Sequence, residues 1–367
     1  MASTHATIST TMSTSLKVLL VLTALLGSLW GWQYFNDTNS LTALFPPHRD
    51  SLLINQSLSN KTLPIPDILL NSLRYQQANL VGSTGTQPTY TNNPLEALVN
   101  IFCTITTKDS LRTTTGTGFF ISNQGVILTN AHVAQFLLLK NTDYLDSASC
   151  VVRTGSPAVA HYIADLLYIS PAWIQEHAAA INDTLPLGTG ERDYALLYIS
   201  ANIDEVTPLP DTFPALAITT DLLPTSIKGS TVRAAGYPAT SLFTDGRTGL
   251  FIPSIASANI TNLYTFSSGY ADVIALSGSE LGNHGASGGP VANSHNSVIG
   301  VITTRGNDAT EGVGSLRAIT LSHIDRTITE ETGANLKTNI SGNITTRANI
   351  FNEIMSPFLT SLLEQNL

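Results

Sequence analysis

Charged residues are scarce in this sequence, and clusters of basic residues are missing. Asp, Glu, Lys and Arg make up 12% of its 367 residues, against 43% hydrophobic residues, and the formal net charge is −9. Such a composition supplies a sizeable core and argues against a solvated, disordered chain. Proteins that bind nucleic acid need clustered Lys and Arg to neutralise phosphates. We therefore expect no nucleic-acid partner.

Cysteine is nearly absent, since Cys103 and Cys150 are the only two. An even number of cysteines permits one disulfide if the chain folds in an oxidising compartment, and two buried free thiols are the alternative. Closing a loop of this length stabilises a fold by roughly 4 kcal/mol in the chain-entropy model. We expect a disulfide between these two residues.

A long apolar run occurs near the N-terminus, in residues 18–35. A span of about 18 residues is just long enough to cross the hydrocarbon core of a membrane. The run follows Lys17, lacks the small-residue cleavage site of a signal peptide, and ends in aromatic residues that favour the membrane interface: Trp30, Trp32, Tyr34 and Phe35. We expect an uncleaved signal anchor, with a cleaved signal peptide as the alternative. Residues 1–17 are then cytoplasmic, residues 18–35 cross the cell membrane once, and everything after Phe35 lies outside the cytoplasm.

The chain beyond the anchor divides into three parts by composition. Residues 36–93 contain several prolines and a Gly/Ser/Thr stretch, as a stalk or linker does, and Asp67–Leu80 has the apolar spacing of a short helix. Residues 94–332 alternate short β-rich runs with turn residues, which is typical of an all-β domain. Residues 333–367 are too few for a further domain, and their apolar periodicity predicts an amphipathic helix.

Ten candidate strands lie in the all-β part: Val99–Thr106, Thr117–Ser122, Val126–Thr129, Ser149–Arg153, Tyr194–Ile199, Thr231–Tyr237, Leu250–Ile255, Ala271–Ala275, Val298–Thr303 and Ser315–Thr320. That number suits two six-stranded antiparallel barrels better than one sandwich. Ser170 followed by Pro171 predicts a helix inserted in the first barrel, because Ser caps a helix and Pro fits its first position. A closing helix is expected to begin near Ser322 and to carry the chain out of the second barrel.

The segment Gly282–Val291 combines a serine with several glycines. Gly285, Gly288 and Gly289 allow the backbone to turn sharply and to approach a ligand closely. Such a turn presents the Ser287 hydroxyl and directs the N–H groups of Gly285 and Ser287 at one point, as an oxyanion hole requires. The alternative is an ordinary glycine-rich turn.

A serine nucleophile needs a neutral imidazole as base and a carboxylate that fixes the imidazole's tautomer. His132 ends the second of two strands that flank the turn Asn123–Gly125, where a short helical turn can hold its ring. Asp193 stands immediately before an apolar strand, so that its carboxylate is expected to be buried. Asp165 is the competing acid. The expected catalytic residues are His132, Asp193 and Ser287.

These segments resemble the trypsin-like serine peptidases, and within them the bacterial HtrA/Deg-type protease domains. The similar motifs are Gly-Ala-Ser-Gly-Gly-Pro at 285–290, Thr-Asn-Ala-His at 129–132 and Asp-Tyr-Ala-Leu-Leu at 193–197, in the family's chain order. The resemblance covers residues 95–332. It implies a double β-barrel with the active site in the cleft between the barrels. We expect polypeptide substrates and neither a metal nor a cofactor.

Two departures from relatives bear on regulation. Ala286 stands where digestive enzymes have an aspartate that pairs with a new N-terminus after zymogen cleavage, so activation of that kind is not expected. The residues after Asp325 are too few for the PDZ domain that HtrA relatives usually carry.

The resemblance also indicates a set of substrate-binding residues: Leu281, His284, Thr303, Thr304 and Arg305. Leu281 falls where the floor of the specificity pocket is expected, which favours a small or aliphatic side chain before the scissile bond. Arg305 and Arg317 are the argument for an acidic side chain instead. A pocket for Lys or Arg is not expected, because no carboxylate stands at position 281.

The sequence therefore predicts a serine endopeptidase that hydrolyses extracytoplasmic polypeptides through an acyl-enzyme intermediate. The alternative is a catalytically inactive scaffold of the same fold that binds peptides by strand pairing. The intact Ser, His and Asp motifs favour the peptidase. An esterase of the α/β-hydrolase type is excluded, because its chain order is Ser, Asp, His.

Overall fold

The computed structural model describes residues 89–367, except 109, 143, 184–189, 240–249, 267–268, 280, 283 and 307–312. The predicted signal anchor, the segment before it and the predicted helix Asp67–Leu80 lie outside the described residues, as does nearly all of the predicted stalk. None of the helices in the described ranges combines the length and apolar character needed to span a bilayer.

The first barrel is closed and antiparallel, with the strand order β1-β2-β3-β6-β5-β4. Its strands are β1 Leu98–Thr106, β2 Leu111–Ser122, β3 Val126–Thr129, β4 Ser147–Thr154, β5 Val159–Ile169 and β6 Ala195–Asn202. Pairing of β4 with β1 closes the barrel and places Cys103 directly opposite Cys150. The two residues form a disulfide, as predicted.

The second barrel is also closed and antiparallel, with the order β10-β11-β12-β9-β8-β7. Its strands are β7 Thr231–Gly236, β8 Ser254–Tyr264, β9 Val273–Leu276, β10 Pro290–Ala292, β11 Val298–Arg305 and β12 Leu316–Thr320. The prediction of two six-stranded antiparallel barrels is thus confirmed.

Four strand assignments differ from the prediction, and the first is β2, which begins at Leu111 and not at the predicted Thr117. Strand β5 was not predicted, because His161 and Asp165 interrupt its apolar pattern. Strand β10 was not predicted either, because it has only three residues and directly follows two glycines. The predicted strand Leu250–Ile255 is wrong in its bounds, since β8 begins at Ser254. Phe251 is buried in the loop before β8, where its carbonyl accepts a hydrogen bond from the Ala158 N–H at 2.8 Å.

Six α-helices lie in the described ranges: α1 Pro94–Ala97, α2 Ala131–Ala134, α3 Pro171–His177, α4 Leu321–Thr332, α5 Leu336–Asn339 and α6 Ile344–Glu364. Short 3₁₀ helices occupy Gln135–Asn141, Ala178–Asn182 and Thr225–Ile227. Helix α3 begins as predicted, since the Ser170 hydroxyl accepts a hydrogen bond from the Trp173 N–H at 3.2 Å. Helix α4 follows β12 without a connecting loop.

The long helix α6 packs against the first barrel. Its buried apolar side chains belong to the same core cluster as the barrel interior: Phe351, Met355, Leu359 and Leu363. Asn352 Nδ2 donates to the carbonyl oxygen of Leu166 on β5 at 2.8 Å. The C-terminal residues therefore complete the hydrophobic core of the first barrel.

Candidate active site

His132 is held at the end of β3, where the chain turns into helix α2. Its side chain is buried, with 6% of its surface exposed. The preceding Asn130 donates from Nδ2 to the backbone carbonyl of Asp193 at 2.8 Å. This bond ties the His-bearing turn to the segment that carries the predicted acid.

Asp193 is fully buried beside His132. Its Oδ1 accepts the His132 backbone N–H at 2.9 Å, and its Oδ2 lies 2.8 Å from His132 Nδ1. Oδ2 also accepts the Thr303 hydroxyl at 2.8 Å. Because an ionised carboxylate only accepts, the neutral ring carries its proton on Nδ1 and leaves Nε2 as a base.

The charge state of Asp193 follows from these contacts. Burial by itself raises the pKa of a carboxyl group, but the electrostatic interaction with His132 and the hydrogen bonds from His132 and Thr303 outweigh it, so that the pKa of Asp193 is lowered. Asp193 is therefore an anion at neutral pH. It can stabilise an imidazolium at His132 without accepting the proton itself.

The competing acid, Asp165, lies elsewhere on the first barrel. It is part of β5 and forms a partly exposed ion pair with Lys140, with Nζ 2.9 Å from Oδ1. His132 contacts Asp193 and not Asp165.

The loop that carries Ser287 bends at two glycines with left-handed backbone conformation, Gly285 at φ +94° and Gly288 at φ +89°. A Cβ atom on Gly288 would lie 1.8 Å from the carbonyl oxygen of Thr117, and one on Gly285 would lie 2.5 Å from that of Tyr237. Both positions thus require glycine for conformation and for space.

This loop, part of the second barrel, is bonded to strand β2 of the first. The Thr117 N–H donates to the Ser287 carbonyl at 2.8 Å, and the Thr117 hydroxyl donates to the Gly285 carbonyl at 2.6 Å. The Thr117 carbonyl in turn accepts the hydroxyl of Thr129, three residues before His132, at 2.7 Å. Through Thr117 the structure brings the Ser287 loop and the His132 turn together.

Ser287 is half-buried. No hydrogen bond joins its hydroxyl to His132 in the described part of the chain. Bonds between a nucleophile and its base are often long without substrate and tighten in the complex.

The N–H groups of Gly285 and Ser287 have no acceptor among the described residues. The turn at Gly285 instead uses its carbonyl oxygen, which Thr117 binds. Two unengaged N–H groups on one bend are what an oxyanion hole needs.

The five predicted substrate-binding residues occupy different environments. Leu281 is fully buried in the core of the second barrel. Thr303 is buried and its hydroxyl donates to Asp193, a contact that was not predicted from the sequence. Thr304 is half-buried and Arg305 is exposed at the end of β11. His284 is half-buried, and burial, followed by the nearby charge of Arg305, lowers its pKa.

Other residues that hold the site together were also not predicted from the sequence. Thr117 lies inside a predicted strand, and nothing in its local pattern distinguishes it from other threonines. Thr129 and Asn130 precede His132 in the recognised motif, which is the one signal that pointed to them. No group of His, Cys, Asp and Glu side chains in the described ranges is arranged to hold a metal ion.

The chain is similar to one protein family and to a solved structure. A family model described as "Trypsin-like peptidase domain" matches residues 116–301, about half of the chain. A crystal structure of the active form of the Rv3671c protease from M. tuberculosis is similar at a TM-score of 0.40 and 17% identity, and the match covers 80% of this chain and 100% of that one. No curated protein sequence matches. Because the family model spans the segments of His132, Asp193 and Ser287, the chain belongs to the trypsin-like peptidase family.

Proposed function

We propose that this protein is an active serine endopeptidase with Ser287 as nucleophile, His132 as general base and Asp193 as the acid that orients it. The observation that carries the proposal is the buried His132–Asp193 pair, with Nδ1 and Oδ2 2.8 Å apart, together with the bend at Gly285 and Ser287, whose N–H groups have no acceptor among the described residues. Family membership alone does not distinguish an active enzyme from an inactive scaffold of the same fold. The paired ring and carboxylate favour the enzyme.

In the proposed reaction His132 Nε2 takes the proton of the Ser287 hydroxyl as its oxygen attacks the scissile carbonyl. The N–H groups of Gly285 and Ser287 stabilise the oxyanion of the tetrahedral intermediate. The protonated ring then gives its proton to the leaving amine, and an acyl-enzyme forms on Ser287. Water, deprotonated by the same ring, hydrolyses this ester and restores the hydroxyl.

The carboxylate of Asp193 contributes electrostatically. Since its pKa is lowered, it remains an anion while the imidazolium forms and is paired with that cation throughout. Its two oxygens accept three hydrogen bonds from two residues, which fixes the ring's orientation before substrate binds.

For the residue before the scissile bond we propose a small or aliphatic side chain. The support is the close approach of the backbone on either side of Leu281, at Gly278 and Gly282, to the backbone at 313–314. A Cβ on Gly282 would lie 2.3 Å from Gly314 Cα, and a Cβ on Gly278 would lie 2.0 Å from the carbonyl oxygen of Val313. Backbones in such contact leave little depth for a long side chain. Cleavage profiling with a peptide library tests this, and a preference for Asp or Glu would contradict it.

We further propose a single-pass location in the cell membrane with the barrels outside the cytoplasm. The apolar run at residues 18–35, the preceding Lys17 and the disulfide support this location. Cell fractionation together with protease accessibility of intact cells tests it. Recovery of the protein in the cytosolic fraction would contradict it.

Covalent labelling with a fluorophosphonate probe tests the catalytic assignment. We expect the wild-type protein to be labelled and Ser287→Ala and His132→Ala to be unlabelled, with circular dichroism confirming that each variant is folded. Labelling that persists in Ser287→Ala would refute the nucleophile. A folded wild-type protein that neither reacts with the probe nor cuts unfolded casein would favour the inactive peptide-binding scaffold.

A further inference from the structure

Helix α4 contacts the segment that carries Asp193 through two of its side chains. Thr327 and Glu331 are spaced by four residues, so that they lie on one face of the helix. Because α4 follows β12 directly, this face is fixed to the second barrel. Asp193 belongs to the first barrel. The contacts of this face therefore connect the acid with the opposite half of the molecule.

The residue before Asp193 has a strained backbone. Arg192 has φ +54°, in the left-handed region that residues other than glycine seldom adopt. Its carbonyl accepts the Tyr194 N–H at 2.8 Å, which closes a three-residue turn centred on Asp193. Strained residues keep such conformations only where surrounding contacts enforce them.

Glu331 supplies such a contact. Its Oε1 lies 3.0 Å from Arg192 Nε and accepts the Ser170 hydroxyl at 2.9 Å. The hydroxyl of Tyr168 donates to Oε2. Only 14% of the Glu331 side chain is exposed. The neighbouring Glu330 approaches the same arginine at 3.6 Å, but 66% of its side chain is exposed.

The residue after Asp193 is bound to the same helix face. The hydroxyl of Tyr194 lies 2.9 Å from that of Thr327, and both side chains are buried. Asp193 is therefore held on both flanks, at Arg192 by Glu331 and at Tyr194 by Thr327.

We infer that Glu331 is a positioning residue for Asp193, acting through Arg192, and that Thr327 assists it through Tyr194. The inference rests on the proposed function, because it assigns these residues to the orientation of the general base. Loss of the Glu331 contact lets the turn at Arg192 relax, displaces the carboxylate of Asp193 and turns the His132 ring away from Ser287. A displacement of about 1 Å in a catalytic group costs on the order of a hundredfold in rate.

Glutamine is the conservative replacement at position 331. Burial raises the pKa of Glu331 to about 8, so a neutral side chain suits the site. Glutamine keeps an acceptor oxygen for the Ser170 hydroxyl and for Arg192. Alanine removes the contact altogether.

The experiment measures kcat and KM of the full-length protein on a peptide substrate, with active sites titrated by the fluorophosphonate probe. We expect Glu331→Ala to lower kcat by roughly ten- to a hundredfold with KM changed by less than about twofold, and Glu331→Gln to restore most of the loss. Glu330→Ala is the matched control, since it removes the same group from the next residue. Because its ion pair is exposed, we expect kcat within about twofold of wild type.

Arg192→Gly covers the case in which Glu331→Ala does not fold. Glycine tolerates φ +54°, so this variant should fold, but glycine also adopts many other conformations, and without the side chain that Glu331 contacts nothing holds the turn in place. We expect the same loss of kcat. A folded Arg192→Gly with wild-type kcat would overturn the inference, as would equal losses in Glu331→Ala and Glu330→Ala.

A second readout separates this inference from the proposed function. We expect the His132 Nδ1 proton, hydrogen-bonded to Asp193, to give a low-field resonance in the proton NMR spectrum whether or not the protein is active. We expect that resonance to shift or broaden in Glu331→Ala and Arg192→Gly and to be unchanged in Glu330→Ala. An unreactive wild-type protein would refute the peptidase, whereas an active one with an unchanged resonance and kcat in these variants would refute the positioning role.

Discussion

Removing the hydrogen bond from the Thr303 hydroxyl to Asp193 tests how much the second barrel stabilises the Asp193 carboxylate. Thr303→Val removes the donor to Asp193 Oδ2 and preserves the shape of a fully buried side chain. The carboxylate then retains only the two bonds from His132. A hydrogen bond to a charged group contributes about 1.5–3 kcal/mol to stability, so we expect Thr303→Val to lower the free energy of unfolding by about 2 kcal/mol at pH 7.

The effect of Thr303→Val has a defined pH dependence. The pKa of Asp193 is lowered in the folded protein, so its ionised form contributes stability above the pKa of an unfolded aspartate, about 3.9. That contribution disappears as the pH falls through the lower folded pKa. Removing one donor raises the folded pKa toward the unfolded one. The difference between wild type and Thr303→Val is therefore expected to be full at pH 7 and to shrink in acid.

Urea unfolding of the purified full-length protein at pH 7 and near pH 3 measures this difference. Thr304→Val is the matched control, because it is the next residue on β11 and makes no hydrogen bond to Asp193. We expect Thr304→Val to unfold within about 0.5 kcal/mol of wild type. Equal losses in the two variants, or a loss in Thr303→Val that is constant with pH, would show that the Asp193 bond is not the cause.

Three further predictions concern other contacts. Replacing Cys103 and Cys150 together by serine opens a loop with a sequence separation of 47, so we expect the free energy of unfolding measured in urea to fall by roughly 4 kcal/mol. A reduced wild-type protein as stable as the oxidised one would contradict this expectation. Asp165→Asn is expected to leave kcat/KM unchanged, because this carboxylate on β5 pairs with Lys140, whereas the His132 ring contacts Asp193. A large loss of kcat/KM would indicate Asp165 as the acid instead. Gly288→Ala is expected to prevent correct folding of the Ser287 loop, since its Cβ would collide with the Thr117 carbonyl at a positive φ. A variant that the fluorophosphonate probe labels at the wild-type rate would refute this expectation.

The sequence was informative wherever function depends on short segments. The glycines at 285 and 288 indicated the bend at Ser287, because few other residues tolerate a positive φ or so close a backbone. His132 and Asp193 were predicted as a pair from their separate motifs, and the structure brings their side chains into contact. The helix after Ser170 followed from a local capping rule.

Contacts between distant segments were not predictable in the same way. Thr303 is separated from Asp193 by 110 positions, and Glu331 from Tyr168 by 163. No local periodicity encodes such pairs, since they depend on how the two barrels and α4 are placed against each other. Strand β10 illustrates the same limit, because three residues carry too little pattern to indicate a strand.

These long-range contacts explain why Asp193 can be both fully buried and ionised. Burial of a lone carboxylate raises its pKa and destabilises the fold, so the anion needs donors around it. The first barrel supplies two of them, both from His132, and the second barrel supplies Thr303. A movement of one barrel relative to the other would remove the Thr303 hydrogen bond and leave the buried Asp193 anion with one donor fewer. The electrostatics of Asp193 thus favour the one arrangement of the barrels in which the Ser287 loop also lies against Thr117.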